Sequence, residues 1–314
     1  MKVLHIALKA SISPNIDLAK ALASLGEYHE IDWMKHRHNL KTTGLNDFIL
    51  SESKRIEPDF TFMQIQEPNI INPEVAKQIP GFVVNWTGDV RQPTPDWYFE
   101  MGRNIDLTLF TNTHDVKVLK KAKIKSEYLQ VGFNHHIYTP DGSTNKEYPC
   151  VVFMGNNYGD DPSTKEAMFP LSQERRDMVA SLRATYGRDF QVYGHQWNKS
   201  HWLSPEEEAI AYRSAKIGIN QNHYSLAMFS SDRLLRIMGS GTFCLSYKYP
   251  GIEKEYKIGK HLEVWEDFDD LTEKIKYYLG NDYQRDKIAR TGCAYVHKQC
   301  TWKKRIEQMK KMIK

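Results

Sequence analysis

Residues 230–246, SSDRLLRIMGSGTFCLS, combine a helix start, a glycine-containing helix end and an apolar strand. Ser230, Ser231 and Asp232 can cap the helix, whose N-terminal amides and dipole attract an anion. Arg233 places a positive charge in the first helical turn, where it opposes the helix dipole, and a bound anion would explain this local cost. Pairing of Arg233 with an acidic neighbour is the alternative. Two glycines then let the chain turn tightly into the strand, so the stretch predicts the phosphate-binding corner of an α/β domain.

Outward from this stretch, short apolar runs alternate with helical patterns along the chain. Strands are expected at residues 3–8, 59–64, 82–85, 107–111, 150–154, 190–193, 216–219, 242–246 and 261–264. Helices are expected at residues 15–24, 72–78, 115–123, 174–186, 205–213, 233–238 and 271–279. This alternation is typical of parallel sheets covered by helices.

The segment 134–148 is polar, contains Pro and Gly and shows no periodicity, as is typical of a linker. We therefore expect two Rossmann-like α/β domains, residues 1–140 and 149–300, which face each other across a cleft. Residues 301–314 are expected to form a C-terminal helix that packs back on the N-terminal domain. A membrane-surface or polyanion contact is the alternative for the apolar stripe and lysines of this helix.

The composition excludes several classes of protein. The chain of 314 residues exceeds the usual size of one domain, and its formal charge of +4 is spread out, unlike the basic stripe of a dedicated nucleic-acid binder. The four cysteines lack the density of a secreted disulfide framework, which favours a reducing cytoplasm. No apolar run approaches the ~20 residues needed to span a bilayer. A cytoplasmic protein without a transmembrane segment is expected.

A second glycine-containing turn follows the predicted strand at residues 150–154. Gly155, Asn156 and Asn157 leave this strand, and a glycine there lets backbone amides approach a phosphate closely. An ordinary turn is the alternative for such an isolated motif.

Motifs distributed over residues 151–305 resemble the GT-B glycosyltransferases of the group 1 type, in particular their CgeB-like (spore maturation) branch. In chain order they are Val152-Phe-Met-Gly155, Arg175-Arg176, Val192-Tyr-Gly194, Ser231-x-Arg233-x-x-Arg236-x-Met238-x-x-Gly241, Pro250-Gly251-x-Glu253, Gly259-Lys260, residues 270–279, Arg285-x-x-Ile288-Ala-x-x-Gly292 and Thr301-Trp302-x-x-Arg305. Their order and spacing carry the resemblance. In the N-terminal half it rests on the Rossmann pattern and on Asn85-Trp-Thr-Gly-Asp89, which is similar to the acidic acceptor-side loop of that branch.

The resemblance implies transfer of a sugar from a nucleotide donor, held by the C-terminal domain, to an acceptor presented by the N-terminal domain. The turn after the strand at 150–154 would approach the donor phosphates, Tyr193 and Gly194 would lie near the base, and Ser231 with Arg233 would face the diphosphate. The residues expected on the donor side are Gly155, Asn156, Asn157, Tyr193, Gly194, Asn220, Ser230, Ser231, Arg233 and Arg236.

Arg236 departs from the group 1 pattern. Its position is usually occupied by Glu, which is expected to bind the nucleotide ribose, and the position of Met228 is also usually acidic in retaining enzymes of that type. A guanidinium cannot accept hydrogen bonds from ribose hydroxyls. Arg236 must therefore bind phosphate, pair with an acid or reflect a different donor geometry.

Asp89 is the candidate catalytic residue, because it follows the strand at 82–85 in a polar turn. As a general base it would deprotonate an acceptor hydroxyl, and such a base would favour inversion. Capping of the following turn or pairing with Arg91 is the alternative. Trp86, Arg91 and His135 are expected on the acceptor side, with core packing as the alternative for the tryptophan.

Metal-binding motifs are weak in this sequence. His135 and His136 have no third ligand at metal-binding spacing, which favours a non-metal role. Asp267-Phe-Asp269 has the form of the metal-binding motif of GT-A transferases, but it precedes a predicted helix, so a capping role is preferred. No metal site is expected.

We therefore expect a metal-independent, hexosyltransferase-like glycosyltransferase that uses a nucleotide-sugar co-substrate, UDP-linked, and no further cofactor. A GT-B nucleotide-sugar binding protein without turnover and a nucleotide-sugar epimerase are the alternatives. The acceptor is open: a glycan, a metabolite, a protein or a modified DNA base would each suit, although the charge does not indicate DNA. Retention or inversion is open as well.

Overall fold

The fold was obtained as a computed structural model that describes residues 1–9, 16–158, 169–197 and 201–313. The chain divides into two compact units. The first comprises Met1–Gly132 together with Trp302–Lys314, and the second comprises Phe133–Thr301. Each unit has its own parallel sheet.

The described part of the first unit contains six strands and six helices before its C-terminal segment. The strands are β1 (Lys2–Ala7), β2 (Glu27–Asp32), β3 (Phe60–Met63), β4 (Phe82–Thr87), β5 (Leu107–Phe110) and β6 (Ser126–Tyr128). The helices are α1 (Ile16–Ala23), α2 (Trp33–Asn39), α3 (Thr42–Ile56), α4 (Pro73–Ala76), α5 (Asp96–Arg103) and α6 (Thr113–Lys121). The strands pair in the order β2-β1-β3-β4-β5-β6 and all are parallel.

The described part of the second unit repeats this arrangement with five strands. The strands are β7 (Val151–Met154), β8 (Phe190–Tyr193), β9 (Ile217–Asn220), β10 (Phe243–Tyr247) and β11 (Glu263–Trp265). The helices are α7 (Ser172–Tyr186), α8 (Pro205–Ser214), α9 (Asp232–Gly239), α10 (Ile252–Glu255), α11 (Phe268–Gly280) and α12 (Asp282–Gln299), with a short 3-10 turn at Gly187–Asp189. The strand order is β11-β10-β9-β7-β8, again parallel.

The central strands are apolar because helices cover both faces of each sheet. All four residues of β3 (FTFM) and of β7 (VVFM) are buried. Helix starts are fixed by side chains in several places: Ser204 forms a capping box with Glu207 at the start of α8, and Asn112 accepts a bond from the Asp115 amide at the start of α6. The predicted α/β fold with two parallel sheets is confirmed.

The last helix, α13 (Trp302–Met312), belongs to the first unit. Trp302, Ile306 and Met309 are buried in a core cluster of that unit, and the Trp302 ring meets the Trp86 ring edge-on at 5.2 Å. The apolar stripe of this helix is thereby used in packing. Among the described residues, no helix is long and apolar enough to cross a membrane.

Several elements escaped the sequence-based expectation, namely β2, α2, α3, α5, β6, α10 and α12. Strand β2 reads EYHEID, and of its six residues only Ile31 is buried, so it has no apolar run to detect. Helix α12 has no clear apolar face in the sequence, because charged residues such as Arg285 are buried together with its apolar residues. The predicted helix at 15–24 begins at Asn15, which lies outside the described residues.

Strand order reverses once in each sheet, and this decides where a ligand binds. In the first sheet β1 lies between β2 and β3, and in the second β7 lies between β8 and β9. In open parallel sheets, ligands bind beyond the carboxyl ends of the strands at such a point. The second sheet places the turn after β7 and the segment after β9 there.

Candidate functional site

A cavity of about 250 Å³ lies in the second unit at the carboxyl ends of β7 and β8, beside the start of α9. Six of the ten residues predicted on the donor side line it: Gly155, Asn156, Tyr193, Gly194, Arg233 and Arg236. The wall also includes residues that were not predicted on the donor side, among them Tyr158, Trp202, Glu208, His223 and Asp232.

Two glycines are required by the geometry of this cavity. A Cβ atom at Gly155 would lie 2.9 Å from an Nη2 atom of Arg233, so the guanidinium occupies the space that a side chain would need. Gly194 has a φ of +134°, and a Cβ there would lie 2.5 Å from the carbonyl oxygen of Gly155. The two turns therefore close against each other and against Arg233.

Arg233 is held by neutral groups. Its Nε donates to the carbonyl oxygen of Met154, and its Nη1 donates to the Gln221 carbonyl at 2.9 Å and to the Ser231 hydroxyl at 3.2 Å. The guanidinium lies over the Phe153 ring at 5.2 Å. Burial lowers the pKa of Arg233. Among the described residues no carboxylate pairs with this side chain, so the alternative of an acidic partner is not realised there.

Arg175 is a second buried cation, directly behind Arg233. It is 1% exposed, and its Nη2 donates to the same Gln221 carbonyl at 2.7 Å. Its Nη1 donates to the Asn156 carbonyl at 3.2 Å, and its Cζ lies 5.3 Å from the same Phe153 ring. Burial, reinforced by the charge of Arg233, lowers the pKa of Arg175 well below its usual range. Two guanidiniums that share one carbonyl and one aromatic ring make this corner strongly positive.

Arg236 behaves differently, because it pairs with two acids. Its Nη1 donates to Glu208 at 3.0 Å, and its Nη2 contacts Asp232. The guanidinium lies over the Tyr138 ring at 5.4 Å, and the Tyr138 hydroxyl donates to Glu208 at 2.8 Å. Burial lowers the pKa of Arg236, but the carboxylates of Asp232 and Glu208 outweigh this and raise it well above its usual value. Of the three roles expected for Arg236, the structure shows pairing with acids.

His223 completes the cationic corner as a neutral ring. Its Nε2 accepts from the Nη1 of Arg175, so the ring proton lies on Nδ1. Burial, together with the charges of Arg175 and Arg233, lowers its pKa to about 2. Tyr158 and Phe169 pack against the ring at centroid distances of 4.7 and 4.6 Å. His223 therefore stays neutral at physiological pH and adds no third charge.

Four residues predicted on the donor side do not line the cavity. Asn157 is 7% exposed and donates to the Gln196 carbonyl, and Asn220 is fully buried between Ser246 and Arg233. Asn220 thereby contacts Arg233, a residue that lines the cavity.

The two predicted capping serines need a correction. Ser230 is 1% exposed and therefore buried. Ser231 occupies the N-cap position of α9, but its side chain makes no capping hydrogen bond, because its hydroxyl accepts from Arg233 instead. The first amides of α9 therefore have no side-chain cap from this residue.

In the first unit, Asp89 lies just beyond β4 with its side chain 56% exposed, and its carboxylate lies 3.8 Å from Arg91. Loss of hydration raises the pKa of Asp89 and Arg91 opposes the rise. Because more than half of the side chain is exposed, we expect water to screen this shift. Trp86 needs a correction: it is 3% exposed, and its indole donates to the Leu129 carbonyl at 3.0 Å, so it is a core residue and offers no face to an acceptor.

Two remaining motifs do not line this cavity. Asp267 caps α11 by accepting from the Asp270 amide at 2.9 Å, as preferred over a metal role. His135 belongs to the second unit, where its ring lies 4.1 Å from His136 and 6.3 Å from His297.

The first sheet carries a buried polar network at its own reversal point, which the sequence did not reveal. His5 on β1 is 2% exposed and lies within hydrogen-bond distance of the Tyr28 hydroxyl and of Gln64. Burial lowers the pKa of His5 to about 4. Glu30 accepts from the Tyr28 hydroxyl at 2.7 Å and pairs with Lys9. The network ties β1 and β2 to Gln64, the residue that follows β3.

Comparison with known proteins agrees with this geometry. Residues 173–311 match a protein family described as "Glycosyl transferase-like". Among solved structures, the chain is similar to a glycosyltransferase from Rickettsia africae ESF-5 (TM-score 0.67, 12% identity, covering 100% of this chain and 98% of that one). Sucrose-phosphate synthase from Thermosynechococcus elongatus gives the same values. HepE from Anabaena in complex with UDP-glucose gives a TM-score of 0.66 at 11% identity, covering 100% of this chain and 99% of that one.

No curated protein matches the sequence significantly. The chain nevertheless contains a glycosyltransferase-family region and has the two-sheet α/β fold of GT-B glycosyltransferases. The expected fold class and glycosyltransferase character are borne out.

Proposed function

We propose that the protein is a metal-independent hexosyltransferase that takes its sugar from a nucleoside diphosphate sugar, UDP-linked, bound in the cavity of the second unit. The observation that carries this proposal is the pair of guanidiniums, Arg175 and Arg233, which share the Gln221 carbonyl and have no carboxylate partner among the described residues. Two adjacent cations whose hydrogen bonds go to neutral acceptors are costly in a partly buried site unless a ligand brings negative charge. A diphosphate brings that charge.

The position of the cations supports a phosphate ligand. They lie at the reversal point of the second sheet, beside the first turn of α9, where no side chain caps the helix amides. Gly155 lets the backbone approach this corner, and His223 adds a neutral wall that does not compete for the anion. HepE, whose fold is similar, was crystallised with UDP-glucose, which supports a UDP-linked donor here.

In the proposed reaction, an acceptor hydroxyl attacks the anomeric carbon while the bond from that carbon to the diphosphate oxygen breaks. Asp89 takes the hydroxyl proton, and the electron pair of the broken bond leaves with the nucleoside diphosphate. Arg233, supported by Arg175, stabilises the charge that develops on this leaving group, so guanidiniums supply the cationic assistance. A base of this kind implies inversion of configuration.

Two finer assignments rest on the sequence. The order of the motifs over residues 151–305 supports membership in the CgeB-like branch of the group 1 type. The four cysteines lack the dense spacing of a secreted disulfide framework, which supports a reducing, cytoplasmic location.

The test uses the full chain with a panel of UDP-, GDP- and TDP-sugars. We expect thermal stabilisation by one nucleotide class and release of nucleoside diphosphate that continues in the presence of a chelator. Arg233→Met should reduce both effects strongly, whereas Arg290→Met, which alters an exposed arginine on α12, should leave them unchanged.

Stabilisation without nucleotide release, with every acceptor class tried, would show a binding protein without turnover. A change of the sugar without an acceptor would show an epimerase. Loss of release on chelation would overturn metal independence. No stabilisation by any nucleotide would overturn the donor site itself.

A further inference from the structure

A groove of about 500 Å³ lies in the first unit at the amino ends of β4, β5 and β6, the sheet edge opposite to the carboxyl ends. The first residue of each of these strands lines it, together with Met312 and Ile313 from the end of the chain. We call this feature the lysine groove after Lys120, Lys123 and Lys125, which also line it. All of its lining residues belong to the first unit.

The positive charge at the lysine groove is only partly compensated. Five of the nine residues at 117–125 are lysines, and all five are exposed. Lys120 pairs with Glu127 at 2.8 Å, whereas the other four form no ion pair with a carboxylate of the described residues. The second carboxylate that lines the groove, Asp106, accepts from the Val83 amide at 2.7 Å. The acidic groups at the groove therefore already have partners, and an excess of ammonium groups faces solvent.

Helix stability accounts for only some of these lysines. Lys120 and Lys121 stand in the last turn of α6, where a cation interacts favourably with the helix dipole. Lys123 and Lys125 lie beyond the end of this helix. Lys123 has a φ of +61° at a position where glycine is the usual residue, so its side chain is kept there at a local cost. A negatively charged partner would use the two lysines that the helix does not need.

The lysine groove also presents apolar side chains. Met312 is 37% exposed, and Phe82 and Ile313 are partly exposed. The buried stripe of α13 is used in packing, but these side chains remain accessible at its end. The surface of an anionic bilayer offers phosphate groups to ammonium groups and hydrocarbon to apolar side chains within a few ångströms of depth. A polynucleotide offers the phosphates without the hydrocarbon, and no arginine, the usual base-reading cation, lines the groove.

We propose that the lysine groove binds the surface of an anionic phospholipid membrane, with Lys123 and Lys125 at the lipid phosphates and Met312 at the boundary between headgroups and acyl chains. Basic charge and apolar contact are each weak signals, and together they give reversible binding to a membrane surface. This site goes beyond the proposed function and does not depend on the donor cavity. It leaves the carboxyl ends of the first sheet, where ligands of such sheets bind, uncovered.

The experiment is flotation of the full chain with vesicles of phosphatidylcholine alone and of phosphatidylcholine and phosphatidylserine in equal parts. We expect binding to the anionic vesicles only. Binding should weaken as sodium chloride is raised from about 0.1 M to about 1 M, because the screening length falls from about 10 Å to about 3 Å.

Charge variants test the assignment to this groove. A lysine near an anionic surface strengthens binding by about fivefold, so the double variant Lys123→Gln with Lys125→Gln should bind roughly 25-fold more weakly. Lys35→Gln with Lys41→Gln makes the same change in net charge at exposed positions on α2 and before α3, and should bind as the wild type does. Lys123→Arg with Lys125→Arg keeps the charge and should retain binding.

Met312→Gln tests the apolar part of the contact. It should weaken vesicle binding roughly two- to fivefold, because only the exposed part of the side chain gains burial in the membrane. The substituted side chains are exposed, so every variant should keep the wild-type thermal unfolding temperature and the stabilisation by UDP. Loss of vesicle binding with both of these properties intact separates the membrane site from the donor site.

Three results would overturn the membrane site. The first is equal binding to neutral and anionic vesicles, or binding that the double glutamine variant at Lys123 and Lys125 leaves unchanged. The second is tighter binding to a single-stranded oligonucleotide than to anionic vesicles, with no effect of Met312→Gln, which would show a polyanion site. The third is displacement from vesicles by inorganic phosphate beyond that by sodium chloride at equal ionic strength, which would show a site for free phosphate.

Discussion

Replacement of Arg233 by methionine separates ligand binding from stability. The change removes one guanidinium from the cationic corner and keeps a side chain of similar length over the Phe153 ring. Arg233 and Arg175 donate to one carbonyl, so their charges lie within about 6 Å, and at an effective dielectric constant of 20 their repulsion amounts to about 3 kcal/mol. The variant is relieved of this repulsion.

The loss of hydrogen bonds offsets that gain. The Met154 carbonyl loses its donor from Arg233, at a cost of about 1–3 kcal/mol, whereas the Gln221 carbonyl keeps its bond from Arg175. The stability of the unliganded protein should therefore change by no more than about 2 kcal/mol in either direction.

Binding should respond much more strongly than stability. Loss of one charge-assisted bond to phosphate costs about 1.5–3 kcal/mol, which weakens binding roughly 10- to 150-fold. At a nucleotide concentration 100 times the wild-type Kd, the ligand stabilises the wild-type protein by about 2.7 kcal/mol. The same concentration should stabilise the Arg233→Met variant by only about 0.3–1.4 kcal/mol.

Chemical denaturation with and without UDP measures the stability of the unliganded protein and the stabilisation by the nucleotide in one series. Arg236→Met provides the contrast: it leaves Glu208 and Asp232 without their cation, so it should lower stability by about 2–3 kcal/mol even without ligand, allowing for the exposure of Asp232. A ligand stabilisation above about 2.3 kcal/mol in a folded Arg233→Met protein would mean less than a twofold loss of affinity and would refute the phosphate site.

Four further predictions follow from individual contacts. The pKa of His223 is about 2 in the folded protein and 6.5 in the unfolded chain, so this group should lower the free energy of unfolding by up to about 2 kcal/mol from pH 7 to pH 5. Denaturation at the two pH values measures this loss of stability. His223→Gln should reduce the loss, and His114→Gln, at an exposed site, should leave it unchanged. Asp89→Asn should slow sugar transfer by about 10²- to 10⁴-fold with unchanged UDP affinity in calorimetry, and equal loss of both would exclude a base. Trp302→Ala should cost about 3–5 kcal/mol in urea unfolding, because the ring is fully buried. Asp267→Ala should lower the free energy of unfolding by about 0.5–2 kcal/mol and leave the rate of sugar transfer, measured with a chelator present, unchanged. A changed rate would contradict the capping role of Asp267.

The fold was predictable where strands are buried on both faces. Strands β7 and β9, which lie inside their sheet, were predicted to within a residue, because covered parallel strands are continuous apolar runs between helical patterns. The edge strands β2 and β6 are only partly buried and carry no such run, so they were missed, whereas the edge strand β8 is mostly buried and was predicted with its observed bounds. Short helices such as α5, which starts without a side-chain cap, give little signal at their ends.

The residues of the donor side could be predicted only where a short stretch of sequence carries the signal. Gly155 and Gly194 were identified because their turns need the conformational freedom or the space that only glycine gives, and that need is visible in the sequence. Glu208 and His223 were missed because their importance comes from contacts made across the fold. Glu208 stands in a run of three glutamates at a helix start, where acidic residues are ordinary, and nothing local distinguishes it from Glu206.

Three arginines of this site show why residue type alone does not assign a function. Arg175, Arg233 and Arg236 are the same side chain in helical positions, yet two of them donate mainly to carbonyl groups and the third to carboxylates. A buried guanidinium bonded to neutral acceptors keeps its full charge available to a ligand, whereas one bonded to two carboxylates has its charge more than cancelled. The sequence pattern placed an arginine where a carboxylate was expected and so suggested a loss of ribose recognition. The contacts show instead that Arg236 pairs with Glu208 and Asp232, two acids that line the same cavity.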